Sequence, residues 1–108
     1  MKLIEKAVSH FSSKERREMY VPEWEETIYA RNVNLEDKSS WMSKSDGDTF
    51  EYMLYAIIGG AEDKDGNLCF DIGDKPKLKK AVDPAVVSKI ANFVLETSGK
   101  TDEEREKN

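Results

Sequence analysis

The segment that most constrains the fold runs from Asp48 to Gly60, DTFEYMLYAIIGG. Five large apolar side chains recur in it at the spacing of one helical face: Phe50, Met53, Leu54, Ile57 and Ile58. Asp46 or Asp48 can cap its first turn, and Gly59-Gly60 is typical of a left-handed helix end. We therefore predict a central core helix whose apolar face is covered by the rest of one small domain.

Length and charge narrow the class of protein. The chain has 108 residues, 38% of them apolar and 36% charged, which fits one domain with a small core. We assign this domain to residues 1–99. Residues 100–108, KTDEEREKN, contain no apolar side chain and are predicted to be a disordered tail. The net charge of −5 disfavours binding to a nucleic-acid backbone, which needs clustered excess Lys and Arg.

Cysteine use and hydropathy favour a soluble cytoplasmic protein. The one cysteine, Cys69, has no partner for an internal disulfide and lies in an apolar strand pattern, where a small buried hydrophobic side chain is expected. The N-terminal sequence MKLIEKAVSHF has no unbroken apolar run, so it is not typical of a signal peptide. No segment approaches the roughly 20 apolar residues that span a bilayer. We expect no membrane association.

A short amphipathic helix is predicted at residues 2–12. Its apolar face comprises Leu3, Ile4, Ala7, Val8 and Phe11. A helix of this length is marginal alone in water, so it is expected to dock either on the body of the domain or on another molecule. Glu5 and the shortage of basic residues on its polar face count against a membrane-surface helix.

Residues 14–18 are predicted to be a charged, solvated connector, and residues 20–33, YVPEWEETIYARNV, to form two short strands or a hairpin. Pro22 lacks an amide hydrogen, which favours an edge position for the first strand. Such an edge offers a site for strand addition by a partner, unless Glu23, Glu25 and Glu26 protect it.

The remaining elements follow from capping and turn signals. Asn34 and Asp37 form a capping box for a helix from Leu35 to about Ser43, which is predicted to bury Trp41 and Met42. Residues 61–74 contain Asp65-Gly66 followed by alternating apolar residues, Leu68, Phe70 and Ile72, which predicts a hairpin.

Two helical segments close the domain. A short Lys-rich turn at residues 76–81 precedes Asp83-Pro84, a typical helix start, and Gly99 is predicted to end that helix. Its apolar face comprises Val86, Val87, Ile90, Ala91, Val94 and Leu95. The fold class is therefore α+β, mostly α-helical, with three to four helices packed on one or two short β-hairpins.

No pattern indicates catalysis, a cofactor or a metal. Residues 63–74 match the start of a calcium-binding loop, but Leu68 stands where that loop requires glycine, which favours a plain hairpin turn. The single histidine, His10, is expected to be an exposed polar residue. One basic cluster, Lys75, Lys77, Lys79 and Lys80, could bind an acidic partner, although a solvated surface is the simpler interpretation.

The order of these elements resembles the tail assembly chaperones of long-tailed, siphovirus-type bacteriophages. The resemblance covers about residues 19–99. It rests on these segments, taken in order: Tyr20-Val21-Pro22-Glu23-Trp24, Ile28-Tyr29-Ala30-Arg31, Met53-Leu54-Tyr55-Ala56-Ile57-Ile58, Asp65-Gly66-Asn67-Leu68-Cys69-Phe70 and Val86 to Gly99. Glu25-Glu26-Thr27 stands where the family often has small residues.

The resemblance implies a non-enzymatic assembly factor in the host cytoplasm that is absent from the mature virion. Such a protein binds the tape measure protein, self-associates along it and promotes tail tube assembly. It would be the short product of a frameshifted gene pair, and the longer form would recruit the tail tube protein. Gly99-Lys100 is a possible frameshift position, because glycine and lysine codons can form a slippery run.

Three aromatic residues are candidates for partner binding: Trp24, Tyr29 and Trp41. Large aromatic side chains carry a disproportionate share of interface energy, although the same residues can instead pack the sheet on the helices. A second hypothesis is a small acidic adaptor or regulatory protein that binds one folded partner, for which the acidic surface would suit a basic protein.

Overall fold

The computed structural model describes residues 2–96, which form five α-helices and a three-stranded antiparallel sheet. In chain order the elements are α1 (Leu3–Ser12), β1 (Arg17–Val21), β2 (Glu26–Ala30), α2 (Leu35–Ser45), α3 (Thr49–Gly60), β3 (Ala61–Glu62), a 3-10 turn (Ile72–Asp74), α4 (Lys75–Lys80) and α5 (Pro84–Leu95). The prediction of a mostly helical α+β fold is confirmed. The predicted domain end at residue 99 and the tail at 100–108 lie outside the described residues.

Helix α3 is the central helix, as predicted. The Asp48 carboxylate caps it by accepting the N–H groups of Phe50 at 2.9 Å and Glu51 at 3.1 Å. Its Leu54 and Ile57 are buried, and the helix packs against α2 on one side and α5 on the other. Phe50 departs from the prediction, because it is 73% exposed at the start of the helix, where α4 and α5 leave the surface open.

The two glycines at the end of α3 serve close packing instead of a left-handed turn, so that prediction is wrong. Gly59 and Gly60 both belong to the helix, and neither has a positive φ. A Cβ on Gly59 would lie 2.7 Å from the Trp41 indole nitrogen, and one on Gly60 would lie 2.3 Å from Val94 Cγ1. Only glycine lets α2 and α5 approach α3 this closely, and the chain then passes directly into β3 at Ala61.

The sheet is built on the predicted hairpin. Strands β1 and β2 pair antiparallel with Met19 opposite Ile28, β3 adds to β2 through Tyr29–Glu62 and Ala30–Ala61, and the order is β1-β2-β3. Strand β1 therefore lies at an edge, as Pro22 predicted. Pro22 itself lies in the turn after β1, where Glu25 adopts a left-handed φ of 52°.

The connector predicted at residues 14–18 is shorter than expected, because Arg17 already belongs to β1. Its guanidinium donates to the backbone carbonyl oxygens of Phe93 and Val94 at the end of α5 and lies 5.2 Å from the centre of the Phe93 ring. Burial lowers the pKa of Arg17, and the nearby Glu96 carboxylate opposes this shift. A residue expected in solvent thus joins the sheet to α5.

The second predicted hairpin is reduced to a turn and one bridge. Gly66 adopts the expected positive φ of 89°, and Asp63 N–H donates to Asn67 O at 2.8 Å. Beyond the turn only an isolated bridge joins Leu68 to Glu62. Leu68 is exposed and Ile72 lies exposed in the 3-10 turn, so the alternating apolar pattern does not form a second strand.

Helices α2 and α5 begin where their capping signals predicted, and α4 begins at Lys75, one residue before the predicted start. Asn34 and Asp37 form the capping box of α2, and Asp83 caps α5 by accepting Ala85 N–H at 2.9 Å. Helix α5 ends at Leu95, earlier than the predicted stop at Gly99, because Glu96 turns into a left-handed φ of 55°.

One core joins these elements. Trp41 of α2 is buried as predicted, whereas Met42 is exposed because it lies on the outer side of the same helix. The predicted apolar face of α5 is buried along its whole length. The core comprises Val21, Ile28, Ala30, Val33, Trp41, Leu54, Ala56, Ile57, Ala61, Leu78, Val86, Val87, Ile90, Ala91, Val94 and Leu95. Within residues 2–96 no helix has the length and hydropathy needed to cross a bilayer.

Candidate partner-binding surfaces

The three aromatic candidates lie in different environments. Trp24 is in the β1–β2 turn, half-buried, with its ring centre 6.5 Å from that of Phe70 in an edge-to-face arrangement. Trp41 lies inside the core against Gly59. Tyr29 is half-buried on the sheet. The structure therefore does not bring the three residues together, and Trp41, although 6% exposed, lines a surface pocket with Tyr55 and Ile58.

Tyr29 belongs to the outer face of the sheet. The Arg16 guanidinium lies 4.6 Å from the centre of its ring. Arg16 is itself held by the Glu62 carboxylate at 3.2 Å and by the carbonyl oxygens of Asp63 and Lys64. This network fixes one side of the tyrosine ring and joins the connector before β1 to the turn after β3.

A second tyrosine shares this outer face and was not singled out from the sequence. Because directly paired residues project to the same side of an antiparallel sheet, the register places Tyr20 with Thr27 and Glu18 with Tyr29 on one face. Tyr20 is exposed. Four carboxylates and one ammonium group line the surface beside the two rings, at Glu25, Glu26, Asp63, Asp65 and Lys64. We call this the tyrosine face. The period-two alternation from Glu18 to Tyr20 was the signal in the sequence.

An open apolar groove lies between the first turns of α3 and α5. Its volume is about 400 Å³. The apolar side chains that line it include Phe50, Met53, Leu78, Val82, Pro84 and Val87, with Lys79 and Lys80 at the rim. We call it the α3–α5 groove. The partial exposure of the predicted core stripe of α3 is what creates it.

Helix α1 presents an unburied apolar face. Leu3 is 80% exposed, Ile4 65% and Val8 61%, and no residue of α1 is buried. The helix connects to the body at Lys14, whose ammonium lies 3.3 Å from the Glu96 carboxylate. The sequence predicted that this helix docks either on the body of its own domain or on another molecule. In this structure α1 does not dock on its own domain.

The lysine cluster is partly occupied by internal ion pairs. Glu51 of α3 pairs with Lys75 and with Lys79, the latter at 2.9 Å, and the Lys75 ammonium lies 4.9 Å from the centre of the Tyr55 ring. Hydrogen bonds from the two lysines lower the pKa of Glu51, and the same pairing raises the pKa of Lys75. These contacts attach α4 to α3. Lys77 and Lys80 remain exposed on the surface.

The residues considered for chemistry lie apart from one another. His10 is exposed, as expected. Cys69 is also exposed, so the prediction of a buried thiol is wrong; the strand that would have covered it does not form. Partial desolvation and nearby carboxylates raise its pKa, which keeps the thiol protonated.

The calcium-like loop is built as a turn. One carboxylate oxygen of Asp63 accepts the N–H groups of Asp65 at 2.9 Å and Asn67 at 3.0 Å, which lowers the Asp63 pKa. Asp74 accepts Asp71 N–H at 3.0 Å. Across residues 2–96 no three His, Cys, Asp or Glu side chains stand together in a way that could hold a metal ion.

Comparison with known proteins gives a structural result only. Neither a protein-family model nor a curated protein sequence matches the chain. A solved structure, that of the bacteriophage HK97 tail assembly chaperone, aligns with 88% of this chain and 96% of its own, with a TM-score of 0.58. The chain has the fold of a phage tail assembly chaperone. Sequence identity is 15%, so the resemblance noted in the sequence is confirmed at the level of fold.

Proposed function

We propose that this protein is a tail assembly chaperone of a long-tailed bacteriophage, which binds the tape measure protein and promotes assembly of the tail tube. The observation that carries the proposal is the fold shared with the HK97 chaperone over 96% of that chain. A fold hosts many functions in general, so the surfaces must supply the rest of the argument. In this role the protein is a binding factor and not an enzyme.

The tyrosine face and Trp24 are proposed as contact residues for the tape measure protein. Tyr20 and Tyr29 offer apolar rings on a rigid sheet, and Trp24 lies in the turn that joins β1 to β2. Tyrosine and tryptophan lose little conformational entropy on binding and are enriched at interface centres. The surrounding carboxylates would favour a client segment with basic side chains beside its apolar anchors.

A longer form of the protein, made by frameshifting near Gly99-Lys100, would add the segment that recruits the tail tube protein. Glu96, the residue after α5, pairs with Lys14 of the connector to α1. This end of α5 is opposite the N-terminal turn that lines the α3–α5 groove. The protein would act in the host cytoplasm and be absent from the finished virion.

Co-expression with the tape measure protein encoded beside it tests the proposal. We expect the tape measure protein to become soluble and to co-elute with this chain. Tyr20→Ser and Tyr29→Ala should reduce co-elution, while Leu35→Ala is the control, because Leu35 is 84% exposed at the start of α2 and does not line the tyrosine face. Trp24→Ala is a third test variant, and its melting temperature must be checked because Trp24 packs on Phe70.

The outcome separates two functions. An insoluble tape measure protein beside a folded, soluble chain would contradict the chaperone proposal and favour an adaptor that binds one folded partner. Solubilisation that survives all three aromatic substitutions would retain the function but refute the tyrosine face as its surface.

A further inference from the structure

We propose that the α3–α5 groove binds an amphipathic helix of another protein, one whose apolar face is flanked by acidic side chains. The groove is apolar with a basic rim, whereas carboxylates predominate on the tyrosine face. One domain therefore carries two binding surfaces of opposite charge. The inference rests on the groove alone and does not depend on the proposed client.

The groove has a buried apolar floor and partly exposed apolar sides. The floor residues are Leu54, Leu78 and Val87, and the side residues are Phe50, Met53, Val82 and Pro84. Phe50 is the most open of these, with 73% of its surface exposed. A contiguous apolar surface that a small domain leaves open to water indicates a contact site.

The shape of the groove suits one face of a helix. It lies between the first turns of two helices, and an amphipathic helix binds such a groove through anchors spaced three and four residues apart. Its volume of about 400 Å³ holds several apolar side chains but not a whole helix, whose diameter is about 10–12 Å. Anchors at positions i, i+3, i+4 and i+7 span about 10 Å, and the other faces of the bound helix stay in water.

The charge of the groove selects an acidic partner. Among the residues that the structure describes, the charged side chains lining the groove are Lys79 and Lys80, although the whole chain has a net charge of −5. Lys80 is exposed and forms no ion pair within residues 2–96. Lys79 pairs with Glu51 and keeps 56% of its side chain exposed. Carboxylates that flank the anchors of a partner helix would face these two ammonium groups.

The unpartnered segments of this chain do not combine the two required properties. Helix α1 is apolar on one face, but it contains one acidic residue, Glu5, against Lys6 and His10. Its connector is also held by Glu96 beyond the C-terminal end of α5, about 18 Å from the turn that lines the groove. Residues 97–108, TSGKTDEEREKN, include acidic side chains but no apolar one. A helix of another protein with both properties is the occupant that fits.

Fluorescence anisotropy with the full-length protein and two designed peptides is the experiment. Each peptide has about 16 residues, because isolated helices shorter than about 12–15 residues are marginal in water. Both carry leucines at positions i, i+3, i+4 and i+7. The acidic peptide has glutamates on the flanks of this stripe, and its neutral twin has glutamines at the same positions, with alanine and glutamine elsewhere in both.

Two protein variants change the groove, and each has a matched control. Phe50→Ser removes an apolar side chain, and Leu35→Ser makes the corresponding change at an exposed residue outside the groove. Lys80→Glu reverses a charge at the rim, and Lys64→Glu makes the same change at an exposed lysine outside the groove. All four side chains are exposed, so the melting temperatures should stay close to that of the wild type.

We expect the wild type to bind the acidic peptide about two- to fivefold more tightly than the neutral twin. Phe50→Ser should weaken binding of both peptides about tenfold, because it removes an apolar anchor of the groove. Lys80→Glu should weaken binding of the acidic peptide about two- to fivefold or more and leave the neutral twin unchanged. Both control variants should bind as the wild type does.

Four results would overturn the proposal. These are no binding of the acidic peptide, equal binding of the two peptides, a Phe50→Ser variant that binds as the wild type does, and a Lys64→Glu variant that weakens binding as much as Lys80→Glu. An unlabelled peptide of residues 1–14 serves as a competitor. If it displaced the labelled acidic peptide at a lower concentration than the unlabelled acidic peptide does, the groove would belong to α1 of a second copy and the proposal would be wrong.

Discussion

Replacing Gly60 by alanine probes the packing between α3 and α5. The new Cβ would lie 2.3 Å from Val94 Cγ1 and 3.6 Å from the Trp41 ring, and Val94 is fully buried. Overpacking of this kind costs about 1–3 kcal/mol. The higher helix propensity of alanine returns at most about 1 kcal/mol, and less at the last residue of a helix. We expect a net loss of about 1–2 kcal/mol.

Urea unfolding followed by circular dichroism measures this loss as a lower midpoint with an unchanged slope. In a thermal melt the same change corresponds to a decrease of roughly 4–16 °C, since 1 kcal/mol shifts a domain of this size by about 4–8 °C. Gly66→Ala is the control, because a Cβ there meets nothing within 4 Å and only the φ of 89° is unfavourable.

A second substitution isolates the steric cause. Val94→Ala removes the atom that the new methyl group would strike, so the double variant Gly60→Ala with Val94→Ala should lose less stability than the two single variants together. A coupling above about 0.5 kcal/mol is outside the range of independent sites. Additive losses, or a Gly60→Ala variant as stable as the wild type, would refute the close-packing explanation of the glycines.

Three further predictions concern the core, the α3–α4 ion pairs and the acidic turn. Ile57→Asp should abolish the cooperative melt, because an unpaired buried charge costs about 3–5 kcal/mol, a large share of the about 5–15 kcal/mol by which a domain is stable. A cooperative melt near the wild-type temperature would mean that α3 is misassigned. Glu51→Gln should make the urea midpoint less sensitive to acid pH. Lys75 and Lys79 lower the Glu51 pKa from 4.5, so the stability that Glu51 contributes is present above pH 4.5 and is lost as the pH falls through the lowered pKa. A variant whose urea midpoint falls with acid pH as steeply as that of the wild type would contradict this. Calcium should leave the melting temperature unchanged, because Asp63 already accepts two backbone N–H groups, and a calcium-dependent rise would indicate a site.

The sequence predicted most accurately those elements that local chemistry determines. Capping by Asn34 and Asp83, the hairpin around Pro22 and the buried face of α5 were all readable from side chains close in the chain. The Asp65-Gly66 turn was equally local, and it forms. Such signals act within a few residues and need no knowledge of the tertiary arrangement.

Errors arose where a distant element decides the outcome. Gly59-Gly60 has the pattern of a helix end, yet Trp41 and Val94 determine its role by approaching from other helices. The strand expected after Gly66 has the right alternation but finds only one bridge.

The candidate surfaces were harder to predict than the fold. The tyrosine face required the strand register, which pairs Glu18 with Tyr29 and thereby places Tyr20 beside it. The α3–α5 groove exists because Phe50 remains uncovered, although its spacing was that of a core residue. Periodicity specifies which face of an element is apolar and leaves open how much of that face a neighbour covers.

The pairing of Lys14 with Glu96 has a consequence for protein engineering. It brings the side chain of Lys14, the second residue after α1, within 3.3 Å of the side chain of Glu96, the first residue after α5. With residues 1–13 and 97–108 removed, a short linker could join Lys14 to Glu96, and new ends could open at Gly66, where a Cβ would meet no atom within 4 Å. Such a circular permutant would keep the core, the sheet and the groove but would lack α1.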